Sequence, residues 1–206
     1  MSSMAAGARP VHKDYEGSKL GMWIFLFTEI LLFGGLFLLY SAYRAKYPAE
    51  FHIGGQHLNV VIGVANTVIL LTSSLTVAVA ISAIQKGNRK LALLCLATTI
   101  VFGLLFLVDK YIEWGEEIRR GIYPNGPALL KLPDGEKIFY GLYYSMTGLH
   151  GLHVLAGISV LTVVFGFVWR NKITSTDFSK LENAGLYWHL VDVIWIFLLP
   201  LLYLAA

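Results

Sequence analysis

Glu29 lies inside an otherwise uncharged apolar run, Leu20 to Tyr43. A charged side chain near a bilayer midplane costs at least ~2.5 kcal/mol, and ionisable groups at that depth are candidates for function. The carboxyl is therefore expected to be neutral, hydrogen-bonded and turned toward protein or lipid head groups. Thr72, Ser73, Ser74 and Thr76 of the next apolar run are its expected partners. Four further residues share this setting. His150 and His153 are spaced i, i+3, as are His189 and Asp192. Residues three apart lie on one side of a helix. Glu113 closes the third apolar run.

Three chemistries suit such a set. Di-iron bundles draw Glu-x-x-His pairs from two helices and a Glu from each of two others. No run here carries Glu-x-x-His, so no metal site is expected. Haem ligation by the histidines is conceivable. The plainest reading is interhelical hydrogen bonding, with a proton- or lipid-related role open for Glu29. Cys95 is the single cysteine, so no disulfide within the chain and no CxxC site can form.

The elements that must position these residues follow from composition. Of 206 residues, 56% are hydrophobic and 14% charged, and the mean hydropathy is +0.64. Soluble domains carry about 25% charged residues, so this chain reads as an integral membrane protein. Its net charge of +3 is dispersed, and no basic cluster points to nucleic acid.

A spanning helix needs about 20 apolar residues. Five segments qualify, at about 20–43, 60–84, 91–113, 138–169 and 184–206, and only helices satisfy their own backbone in lipid. The expected fold is an all-α bundle of five transmembrane helices, one membrane domain over 20–206. The fourth run would be roughly 48 Å long at 1.5 Å per residue, against a roughly 30 Å hydrocarbon core. It must tilt or project. Residues 1–19 have no apolar run of the kind that marks a signal peptide and read as a polar cytoplasmic tail. The stretch from Trp114 to Lys137, rich in Gly and Pro, reads as a structured outer loop or a docking element.

Basic residues in the tail, second loop and fourth loop number nine, against seven on the other side. Those seven are offset by Glu50, Glu113, Glu116, Glu117, Asp134 and Glu136. The positive-inside rule then places the N-terminus in the cytoplasm and the C-terminus outside. Trp23, Trp114, Trp169, Trp188 and Tyr203 are expected at the membrane interfaces. Gly34, Gly35, Gly141, Gly148, Gly151 and Gly157 are expected at close helix approaches.

Two segments carry a resemblance: Phe139-Tyr140-Gly141 with Thr147-Gly148-Leu149-His150-Gly151-Leu152-His153-Val154, and Tyr187-Trp188-His189-Leu190-Val191-Asp192-Val193-Ile194-Trp195. Gly21-Met22-Trp23, Glu29, Leu32-Phe33, Asn66-Thr67 and Lys110-Tyr111-Ile112-Glu113-Trp114 add to it. Over roughly residues 18–206 the chain resembles subunit III of haem-copper cytochrome c oxidases. The resemblance implies a non-catalytic subunit packing on subunit I, with subunit II and a small subunit IV in the same complex. Haem and copper would sit in the partner subunits, and phospholipid would bind this one. It implies support of proton uptake and of active-site stability, with Glu29 as the family's buried, carbodiimide-reactive carboxyl. His150, His153, His189, Asp192 and Glu113 carry over as intramembrane residues of the family pattern. Longer relatives have two more helices, which form one arm of a lipid-filled cleft. Five-helix forms are familiar in bacteria, implying a multi-pass protein of the bacterial plasma membrane. Quinol oxidases and nitric-oxide-reductase-associated proteins have related subunits, and a stand-alone haem or metal redox enzyme is the alternative of another class.

Overall fold

A computed structural model describes residues 15–204. Five of its helices are long and apolar enough to cross a membrane. They are α1 (Tyr15–Lys46), α3 (Val60–Gln85), α4 (Arg89–Arg119), α5 (Asp134–Trp169) and α6 (Ser179–Leu199). The sixth, α2 (Pro48–Gln56), is short. The all-α bundle read from the apolar runs is thus the observed fold. Helix α1 begins at Tyr15, inside the stretch expected as tail, and the rest of that expected tail lies outside the described residues.

Local chemistry sets the helix ends. The Asn59 side chain accepts from the N–H groups of Val61 and Ile62 (3.0 and 3.3 Å) and so caps α3. Asn88 caps α4 through Leu91 N–H (3.2 Å). Between α3 and α4 stands Gly87 at φ +75°, a left-handed turn that glycine adopts without a Cβ penalty. At the C-terminal end of α5, Arg89 donates to the carbonyls of Val168 and Trp169. Pro200, which has no N–H, stops α6, and the chain continues as a wider π turn over Pro200–Leu204. The Leu201 carbonyl in that turn accepts from the Tyr40 hydroxyl at 2.5 Å.

Helix α6 is the axis of the bundle, with half of its apolar window buried, and α1 is the edge, with 11% buried. Helices α3 and α4 form the most extensive pair, and α6 packs on α3 and α5. Helix α1 leans on α5 and α6. Two glycines admit Trp188 to the centre. A Cβ on Gly103 would stand 2.7 Å from its ring, and so would one on Gly157. Gly34, Gly35, Gly141 and Gly151 have open space where a Cβ would go. Those four make no close approach within the chain, contrary to expectation. Trp188 and Tyr203, expected at an interface, are 0% and 4% exposed and belong to the core. Burial wins because each finds a polar partner for its one polar atom.

The long fourth run folds as one continuous helix. Helices α4 and α5 are extended beyond the expected spans, to Arg119 and from Asp134, and α2 packs on the extension of α5. Phe51 meets Phe139 edge-on at 5.5 Å. Between α4 and α5 the loop turns at Gly121 and Asn125, both at positive φ, and forms one 3₁₀ turn at Leu129–Lys131. The Tyr144 hydroxyl anchors it by donating to the Ile122 carbonyl (2.6 Å).

Candidate functional site

Glu29 sits midway along the edge helix, and its partner is His153 on α5. Glu29 Oε2 and His153 Nε2 are 2.8 Å apart, with the two side chains 14% and 15% exposed. His153 Nδ1 lies 2.8 Å from the Leu149 carbonyl. A carbonyl only accepts, so Nδ1 carries a hydrogen. Nε2 then either accepts from a protonated Glu29 or, as imidazolium, donates to its carboxylate. Both forms hold one proton between the two residues and carry no net charge. Pairing in this way lowers the cost of an ionisable group at membrane depth. Phe33 meets the imidazole edge-on at 5.3 Å, and the Tyr187 hydroxyl donates to the His153 carbonyl (3.1 Å).

The hydroxyls of α3 expected beside Glu29 are engaged elsewhere. Thr72 and Ser73 bond carbonyls of their own helix. Ser74 Oγ lies 2.6 Å from His189 Nδ1, and Thr76 bonds Thr99 at 2.7 Å. The reason is topological: α1 lies against α5 and α6, and the buried face of α3 looks to α4 and α6.

His150 and His153 share a helix but not an environment. Three residues of α-helix leave about 60° between two side chains, enough to send them into different interfaces. His150 is fully buried. It stacks on Trp195 (5.1 Å) and meets Phe106 edge-on (5.3 Å). Neither of its nitrogens has a hydrogen-bond partner among the described residues. On α6, Asp192 is 2% exposed. Neither of its carboxyl oxygens has a hydrogen-bond partner among the described residues.

A second polar centre lies at the other end of the bundle. Lys110 Nζ donates to Glu113 Oε2 (3.0 Å) and to the Tyr203 hydroxyl (2.5 Å). Tyr143 and Tyr203 both donate to Glu113 Oε1 at 2.5 Å. Every polar atom of this quartet is bonded, and Lys110 and Glu113 are 7% and 4% exposed. The ammonium also stands 4.7 Å from the centre of the Trp195 ring, close enough for cation–π attraction. Sequence reasoning named Glu113 but counted Lys110 as a loop charge and Tyr203 as an interface anchor. The available signal was the i, i+3 spacing of Lys110 and Glu113 after an apolar run, which is a pair on one helix face. Tyr143 gave no signal of its own.

Glu29–His153 and the quartet are two hydrogen-bonded polar clusters that join helices distant in sequence. Among the described residues, no three His, Cys, Asp or Glu side chains gather as a metal site. A groove of about 680 Å³ runs beside the first pair, between α1, α5 and α6, lined by apolar residues such as Met22, Phe25, Val163 and Phe167. Lys180 also lines it, with its ammonium 4.9 Å from the centre of the Phe167 ring.

The sequence profile of the family described as cytochrome c oxidase subunit III matches residues 5–206. Cytochrome c oxidase subunit 3 of Alkalihalophilus pseudofirmus is 32% identical, over 100% of this chain and 96% of the relative. The subunit of that name from Thermostichus vulcanus is 32% identical, over 95% of this chain and 90% of its own. Subunit 3 of the cytochrome bo(3) ubiquinol oxidase of Pseudomonas aeruginosa is 27% identical, over 95% and 88%. Full-length matches on this scale place the chain in the cytochrome c oxidase subunit III family, among the subunits of haem-copper oxidases.

Proposed function

We propose that the chain is the subunit of a bacterial cytochrome c oxidase that supports proton uptake and active-site stability without holding a redox centre. It packs on subunit I in the plasma membrane, with its N-terminus in the cytoplasm. Haem and copper belong to the partner subunits. The observation that carries the reading is the Glu29–His153 pair. It shares one proton, and it sits on the least enclosed helix, where a partner or lipid covers the bundle. The groove beside it has the volume and apolar lining for acyl chains, and the Lys180 ammonium suits a phosphate head group. Apolar side chains such as Leu38 and Val61, 75% and 77% exposed, provide the outward faces that lipid and partner subunits cover.

An affinity-tagged copy should pull out haem- and copper-bearing subunits, and that complex should reduce oxygen with cytochrome c as donor. Recovery of the chain from membranes with no haem-bearing partner would sink the proposal. The Pseudomonas quinol-oxidase relative supports a second reading, the equivalent subunit of a quinol oxidase. Activity with a quinol and none with reduced cytochrome c would select it.

A further inference from the structure

At the end of α1 remote from the groove, a recess of about 330 Å³ opens between α1, the start of α2 and the terminal turn. Tyr40, Ser41, Arg44, Ala45, Pro48 and Leu201 line it. Two of these side chains are already committed. The Tyr40 hydroxyl donates to the Leu201 carbonyl (2.5 Å), and the Ser41 hydroxyl to the Phe37 carbonyl (2.8 Å).

Arg44 is different. It makes no hydrogen bond or ion pair among the described residues, although it is half-buried. Arg89, the other half-buried arginine among the described residues, has carbonyl partners at the end of α5. Glu50 is the nearest acid in sequence, and its stem packs against Gly135 on the α5 side of α2. The recess therefore presents a guanidinium with one positive charge, and no carboxylate is among the residues that line it. Guanidinium geometry matches a phosphate with two parallel hydrogen bonds.

We propose that this recess binds the phosphate of a phospholipid, with Arg44 as its ligand. The setting separates a lipid from a free anion. Ala45, Pro48 and Leu201 give the recess apolar walls, against which a glycerol backbone can pack. The exposed face of α1 continues from it through Leu39 and Leu38, 44% and 75% exposed, as a track for acyl chains. A free phosphate would gain nothing from either. About twenty residues of helix separate this site from the groove at Met22 and Phe25, roughly 30 Å at 1.5 Å per residue, so the two hold different lipids in opposite leaflets. The site does not depend on which electron donor the oxidase uses.

Native mass spectrometry of the purified oxidase complex in mild detergent tests this by counting retained phospholipid. Arg44→Gln should lose one phospholipid per complex, while Arg170→Gln, at an exposed arginine elsewhere, should lose none. Arg44→Lys should keep the lipid in most complexes, because the charge remains. Ser41→Trp should lose it too, since it fills the recess and spares the arginine. Equal counts in wild type, Arg44→Gln and Ser41→Trp would overturn the proposal. So would release of that lipid by excess inorganic phosphate, which would make the recess a site for free anions.

Discussion

Glu29 on α1 and His153 on α5 face each other at 2.8 Å across 124 residues of sequence. The Leu149 carbonyl holds the other imidazole nitrogen, so the tautomer is set from behind the pair. One helix thus dictates how the carboxyl of another can share its proton. This fixes what each substitution at the pair must do.

Glu29→Gln should be tolerated structurally. The amide can donate to Nε2 as the protonated carboxyl does, and thermal unfolding should shift little. Glu29→Ala leaves a half-buried imidazole nitrogen unpaired, at a cost of about 1–3 kcal/mol. A Gln variant as unstable as the Ala variant would show that the pair is an imidazolium–carboxylate ion pair.

The quartet predicts a strong coupling. Lys110→Met strands the Glu113 carboxylate, and breaking a buried pair in this way costs about 3–5 kcal/mol. Lys110→Met with Glu113→Gln removes both charges and should recover most of that loss. A double-mutant cycle by thermal denaturation measures the interaction. Additive losses would mean that Lys110 and Glu113 do not act as a unit.

The site was legible in the sequence in a specific and limited way. Glu29 declares itself, because a carboxyl in an apolar run has few explanations. Its partner does not. Choosing His153 over Ser73 or Thr72 requires knowing that α1 leans on α5, which depends on long-range packing. The same limit hid the quartet. Lys110 beyond an apolar run looks like a loop charge unless α4 is known to continue to Arg119 and Tyr203 to fold inward on the Pro200 turn. Helix number and type were readable, because lipid leaves the backbone no alternative. Helix ends were read from apolar run lengths and missed the more polar terminal turns of α4 and α5.

Trp188 makes glycine a packing requirement at two positions. Gly103→Ala and Gly157→Ala push a Cβ to 2.7 Å from its ring, and overpacking of this kind costs about 1–3 kcal/mol. Gly151→Ala, with nothing within 4 Å, should leave the isolated subunit unaffected. Loss of assembly with Gly151→Ala would place a partner helix on that face.

Topology has its own check. Cysteines introduced at Lys86 and Pro124 should react with a membrane-impermeant reagent from opposite sides, Pro124 from outside. Reaction of both from one side would refute a spanning α4.

The most direct measurement is oxygen consumption over successive turnovers by the complex with and without this subunit. On the proposed function the redox centres lie in other chains, so the depleted complex should turn over normally at first. It should then slow at high pH, where bulk protons are scarce, and lose activity as turnovers accumulate. Loss of the very first turnovers, with haem content intact, would contradict the account and make this chain a direct participant in the chemistry.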